Sequence, residues 1–278
     1  MSKSLYKPLD EKIHTKLEDF YQGVQDSIHS LLKRYFWKPT LDMYNKKVAL
    51  LQKTKKLSYK DALIVVLDHL GEVLKESEPE VMYLIEKGGK DIKQSRMTIA
   101  GNNFQALIVH ALRMNVLHRN LPTLHVLLKQ KGHPIAKKYA TIQVGNVEQK
   151  PDMDIFIYSD KSNTPVIISS CKTSLRERAG QTYRWKLLLD LATANREHLE
   201  RYKDCPINKY QIKYQGDKKI FVLMITADLY NEISRPQQKG ALIFFDRAFI
   251  TNPKENKLPS NVERLSKIIK YLQEIYQD

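Results

Sequence analysis

The sequence predicts an α/β fold: a central mixed β-sheet flanked by helices, with a helical subdomain in front of it. Three observations carry this expectation. Residues 1–95 have apolar side chains at helical spacing and no strand-like run, whereas 96–278 mix the two patterns. Two stretches in mid-chain, Asp154–Tyr158 and Val166–Lys172, read as strands around the polar turn Asp160–Pro165. Further runs rich in branched and aromatic residues, Lys219–Thr226 and Ala241–Asp246, are separated by segments of helical period. Strands alternating with helices give an α/β core, and the usual size of such sheets suggests about five strands.

In order along the chain, Ile13, Leu17, Phe20, Val24, Ile28, Leu31 and Leu32 mark a first helix over Asp10–Arg34, ended by Lys38-Pro39. A second helix is expected over Leu41–Lys53. A third opens at Ser58, where Ser58-Tyr59-Lys60-Asp61 resembles a capping box, and runs to Leu74. Glu78-Pro79 should break the pattern, Val81–Glu86 should form a short helix, and Gly88-Gly89 should stop it.

Gly101–Asn115, with Phe104, Ala106, Leu107, Val109, Leu112 and Met114, reads as the helix that crosses the sheet and opens the core domain. Leu121–Leu128 and Tyr139–Val144 have weaker strand character, the second leading into the central hairpin. A long helix is expected over Thr182–Tyr202, and Ser260 should cap a terminal helix carrying Val262, Leu265, Ile268, Ile269, Leu272 and Ile275.

Composition narrows the function. The chain has 278 residues and 42% apolar content, enough for a sizeable core. Lys and Arg number 46 against 31 Asp and Glu, a formal charge of +15 that favours a polyanionic partner. The lysines are spread out, so the charge belongs to a face rather than a tail. Two cysteines, Cys171 and Cys205, make neither a disulfide framework nor a metal knuckle and suit a reducing cytoplasm. The start lacks a signal-peptide core, and runs such as Ala62–Leu67 are too short to span a bilayer, so a cytoplasmic protein without membrane contact is expected. No phosphate-binding glycine loop, His-Glu-x-x-His or nucleophile elbow is present, which argues against nucleotide hydrolase, zinc protease and esterase chemistry. The eight histidines lack ligand spacing and read as core or surface residues.

The hairpin holds the chemistry. Alternation puts Asp152, Asp154 and Phe156 on one face of the first strand and Ser170 and Lys172 on one face of the second. A short loop lets an acid of the first strand meet the lysine of the second. A carboxylate holding a hard cation, with an ammonium to steady water or developing charge, suits attack on a phosphodiester. Asp154 directly precedes the apolar run and is the first choice for the metal, with Asp152 in reserve. Taken singly each has a plainer reading: a strand-entry acid, a structural ion pair, and, for Arg176-Glu177-Arg178, a solvated helix start.

Pro151-Asp152-Met153-Asp154 followed by Ser170-Cys171-Lys172 resembles the PD-(D/E)XK nuclease motif. Lys172-Thr173-Ser174-Leu175-Arg176-Glu177-Arg178 further resembles the lysine-to-R-(D/E)-R signature of type II restriction endonucleases that read CCGG, the BsaWI-like group. The similarity is strongest over Lys150–Lys186 and weak in the first hundred residues.

The resemblance implies a PD-(D/E)XK core and Mg2+-dependent cleavage of double-stranded DNA at a palindrome containing CCGG, with A/T preference in the flanks. It also implies a homodimer, or a tetramer of two such dimers. Asp154 would bind the metal, Lys172 would assist the water, and Ser170 would occupy the slot where many relatives carry an acid. The missing acid would then come from the next helix, where Trp185 and Lys186 fill the expected window between Gln181 and Asp190, making Asp190 the favoured second ligand. The helix ahead of the core offers Gln105, an amide. Arg176, Glu177 and Arg178 would read G·C pairs, arginine forks matching guanine O6 and N7 and the carboxylate accepting from cytosine N4. The rivals are a nuclease of this fold with another palindrome or a repair role, and a DNA-binding protein of this fold without catalysis.

Overall fold

The computed structural model describes residues 11–89, 91–128, 133–150, 154–175, 179–193, 206–214, 216–229, 232–251 and 258–276. Four helices come first, α1 (Glu11–Leu32), α2 (Lys38–Lys55), α3 (Tyr59–Val65) and α4 (Leu70–Lys87), followed by the long α5 (Ile92–Leu117). The elements after them are β1 (His125–Leu128), α6 (Pro134–Tyr139), β2 (Ile142–Val144), β3 (Val147–Gln149), β4 (Ile155–Tyr158), β5 (Val166–Lys172), α7 (Ala179–Ala192), β6 (Ile212–Tyr214), β7 (Ile220–Thr226), β8 (Arg247–Ile250) and β9 (Val262–Arg264).

Local chemistry sets the start of α3. Ser58 caps α3: its Oγ accepts from the Asp61 backbone N at 3.1 Å and donates to Asp61 Oδ2 at 2.6 Å. The expected helix over Ser58–Leu74 is interrupted by a 3-10 turn, Val66–His69. Pro79, expected to break the chain, instead lies inside α4. Its exposed ring removes one ladder hydrogen bond, a cost of about 3 kcal/mol. Val73, Leu74, Val81 and Ile85 on the same helix are buried, each worth roughly 1.5–3 kcal/mol. Burial outweighs the proline.

The main sheet has six strands rather than about five, in the order β1-β4-β5-β7-β8-β9, and it is mixed as expected. β1, β4 and β5 pair antiparallel, while β5, β7, β8 and β9 pair parallel. The predicted hairpin forms, with Phe156 opposite Ile168 and Ile157 opposite Ile167. Alternation sorts its side chains into two cores. Ile155, Ile157, Ile167 and Cys171 join α5 and the helical layer in one cluster, while Phe156, Tyr158, Val166 and Ile168 join Trp185 and Leu189 of α7 in the other. Helices therefore cover both faces. Gly71 lets α4 approach the carboxyl ends of β7 and β8, since a Cβ there would lie 2.7 Å from Thr251 Oγ1.

Further expectations need correction. Tyr139–Val144 does not lead into the hairpin; Ile142–Val144 belongs to a separate sheet of order β3-β2-β6. Ala241–Asp246 is not a strand. A helix over Pro236–Leu242 runs into it, with Pro at its first turn, and the strand is the next segment, β8. Ile243 and Phe244 are 65% and 43% exposed, so this apolar run is no core strand.

The terminal helix does not start at Ser260. Val262–Arg264 extends the sheet as β9, a 3-10 turn covers Leu265–Lys267, and the helix is Ile268–Ile275. Asp68 holds that turn, accepting from Ser266 N at 2.7 Å and from Ser266 Oγ at 2.8 Å. The helix expected over Thr182–Tyr202 begins at Ala179 and is described to Ala192; the remainder lies outside the described residues. Among the described residues no helix is long and apolar enough to cross a membrane.

Candidate active site

Strands β5, β7 and β8 run parallel and end together at Lys172, Thr226 and Ile250. Open α/β sheets bind ligands beyond such carboxyl ends, where backbone groups leave the ladder. Asp154 stands at this edge just before β4, its backbone N donating to Ser169 O at 3.1 Å. The series Phe156 to Asp154 on one strand and Ile168, Ser170 and Lys172 on the other brings acid and lysine to one side of the hairpin.

Lys172 Nζ lies 3.1 Å from Asp154 Oδ2, with the side chains 7% and 6% exposed. An isolated charge at such burial is costly, so each steadies the other. The same oxygen accepts from the Cys171 backbone N at 2.8 Å and from Ser170 Oγ at 3.4 Å. Oδ1 accepts from Gln105 Nε2 of α5 at 2.6 Å. Thr182 of α7 donates to Ser170 Oγ at 3.2 Å. Elements from both sides of the sheet thus fix one carboxylate.

Gln105 Oε1 is buried and has no hydrogen-bond partner among the described residues. A spare amide oxygen beside a buried carboxylate, with a serine hydroxyl close by, is a set of hard oxygen donors of the kind magnesium takes. No three His, Cys, Asp or Glu side chains converge among the described residues. One carboxylate supplemented by neutral oxygens matches magnesium sites that rely on substrate phosphates and water for their remaining ligands.

Asp190, expected as the second metal ligand, falls elsewhere. Asp190 meets Lys186 Nζ at 2.5 Å, and Lys186 also lies 3.6 Å from Asp246. Asp190 is two helical turns beyond Thr182, about 12 Å along α7, and among the described residues no contact joins it to Asp154. Asp152, Arg176, Glu177 and Arg178 lie outside the described residues.

Thr182 and Glu232 were not singled out from the sequence. Glu232 is fully buried and accepts from Ser174 Oγ at 2.7 Å and from Leu175 N at 2.6 Å. In sequence Gln105 is an amide where an acid is sought. Its one sequence signal is a polar side chain amid Phe104, Ala106, Leu107 and Ile108, all buried.

Two comparisons with known proteins find similarity. A family model described as "BsaWI restriction endonuclease type 2" matches residues 129–277. Among solved structures, one titled "Restriction endonuclease PspGI-substrate DNA complex" is similar, at 12% identity and a TM-score of 0.43, over 85% of this chain and 92% of that one. No curated protein matches.

Proposed function

Because this chain belongs to the BsaWI family of type 2 restriction endonucleases, we propose that it cleaves double-stranded DNA at a palindrome containing CCGG in a magnesium-dependent reaction. The observation that carries the chemical part is the buried Asp154–Lys172 pair at the sheet's carboxyl edge, with Gln105 on the second carboxylate oxygen. WCCGGW is the fuller form of the proposed site.

Asp154 Oδ1 and Gln105 Oε1 would hold the magnesium ion, with Ser170 Oγ close by. When bound, the ion would neutralise charge on the scissile phosphate. Lys172 Nζ has a fixed place beside Asp154 and would orient the attacking water and offset the charge that builds on the phosphate oxygens. Ser170, tied to Thr182, would keep the β5 edge from shifting against α7.

Arg176, Glu177 and Arg178 follow Lys172 within a few residues and would read base edges in the major groove. Recognition and cleavage would then share one stretch of chain, so that docking the right bases brings the phosphate to the acid and lysine. A palindrome calls for two copies of the site related by a two-fold axis, and we propose a homodimer. The formal charge of +15 supports phosphate contacts over a broad face.

The test is digestion of plasmid DNA of known sequence, with magnesium and with chelator. Discrete fragments whose ends map to CCGG-containing palindromes support the proposal. Discrete fragments at another palindrome would overturn the specificity, and cutting that persists in chelator would overturn the metal.

A further inference from the structure

We propose that Glu232 is a positioning residue for cleavage: its buried carboxylate fixes the path by which the chain leaves Lys172 and so ties site discrimination to catalysis. This rests on the reading of Arg176, Glu177 and Arg178 as base-contacting residues.

Thr173, Ser174 and Leu175 separate Lys172 from Arg176. Each of them is held by the loop that follows β7. Ala227 N donates to Lys172 O at 3.0 Å, and Leu229 N donates to Thr173 O at 3.2 Å. Ser174 Oγ and Leu175 N both donate to Glu232 Oε2, at 2.7 and 2.6 Å. The Leu175 side chain, 1% exposed, shares a core with Ile233. The loop itself is set by Asp228, whose backbone adopts a left-handed φ of 44° and whose Oδ1 accepts from Glu232 N at 2.7 Å.

An apolar side chain would fill this position with no desolvation penalty, so a buried carboxylate needs a reason. Short bonds to a charged acceptor supply one, being stronger and more exacting in distance than neutral bonds. Both converge on a single oxygen and so fix two consecutive residues against the β7 loop. Any shift of that oxygen passes through Ser174 and Leu175 toward Lys172, and Arg176 is the next residue in sequence. Small misplacements at this range are costly to a reaction that depends on in-line approach. Among the described residues no hydrogen bond or ion pair joins Glu232 to Asp154 or to Lys172 Nζ, so the role proposed is positional.

The test compares Glu232→Ala, Glu232→Gln and Ser174→Ala in the full-length protein. Thermal unfolding is followed, and kcat and KM are measured on the preferred site and on sites with one base pair changed. For Glu232→Ala the ratio of kcat/KM between preferred and altered sites should fall by roughly tenfold or more, chiefly through kcat on the preferred site. Glu232→Gln keeps an oxygen that can accept both bonds and should restore most of the ratio. Ser174→Ala loses one bond and should shift the ratio less, in the same direction.

A folded Glu232→Ala protein with unchanged discrimination overturns the proposal, as does a Gln variant no better than Ala. If Glu232→Ala does not fold, Ser174→Ala decides, and a wild-type ratio there overturns it. Arg176→Ala and Arg178→Ala are measured alongside. If they leave site preference intact, the underlying reading fails and the proposal with it. If they erase preference while the Glu232 variants leave it unchanged, the positioning proposal alone fails.

Discussion

Asp154 and Lys172 are eighteen residues apart in sequence, yet their charged atoms lie 3.1 Å apart in a buried setting, one just before the first strand of a hairpin and the other at the end of the second. That closeness serves a chemical role or a structural one, and a single substitution tells them apart. Asp154→Ala should lower cleavage by roughly a thousandfold or more while leaving specific DNA binding in place. Removing either partner of a buried pair also costs roughly 3–5 kcal/mol of stability. Binding by gel shift, together with a thermal melt, distinguishes the two effects. Cutting that survives in a folded Asp154→Ala protein would remove Asp154 from the chemistry.

Gln105→Glu offers the complementary change. A carboxylate at this position would face Asp154 Oδ1, now 2.6 Å from the amide nitrogen, and the two acids would repel unless a cation lay between them. The variant should melt at lower temperature in chelator and need less magnesium for half-maximal cutting than the wild type. An unchanged magnesium requirement would place the cation away from Gln105.

Arg178→Ala should weaken discrimination at one base pair by about 1–3 kcal/mol, leaving the cutting chemistry on any bound site in place. A loss of affinity that is equal across all sequences, with a shallower salt dependence, would instead make Arg178 a phosphate contact. Competition binding with sites altered one base pair at a time separates these outcomes.

His110 predicts an acid sensitivity remote from the hairpin. It is 4% exposed, with its ring edge-on to Trp37 and Tyr44, and burial together with the nearby Arg113 lowers its pKa to about 4. The unfolded chain takes up this proton near the ordinary histidine value, and the folded chain resists it. Stability conferred by the neutral ring is therefore complete above about pH 6.5 and is lost as pH falls toward 4, by roughly 3 kcal/mol in all. His110→Phe should flatten the midpoint-versus-pH curve of urea unfolding over that range. A curve with the wild-type slope would assign the acid sensitivity to other groups.

The hairpin was legible because period-two alternation fixes both the strands and the side their polar residues share, as Asp154 and Lys172 illustrate. Ser58 was legible for a similar reason, since a cap is a relation between neighbours. Ala241–Asp246 was misread because a short apolar run carries no periodicity to tell strand from helix end. Pro79 was misread because its local penalty is visible in sequence while the compensating burial of α4 is not. Glu232 meets Ser174 across a separation of 58 residues, and nothing local announces such a contact. Gln105 looked inert because an amide has no charge; what marks it is an oxygen buried without a partner, a property of the folded protein.

The bond between Asp68 and Ser266 links residues 198 positions apart. During synthesis the acid emerges from the ribosome long before its donors do, and the outermost strand of the sheet is made in the same late stretch. The hairpin ends at Lys172, so the segment through Ser266 must still be made before this tie and the outermost strand can join the sheet. The tie between the helical layer and the outer edge of the sheet is therefore a late event in synthesis.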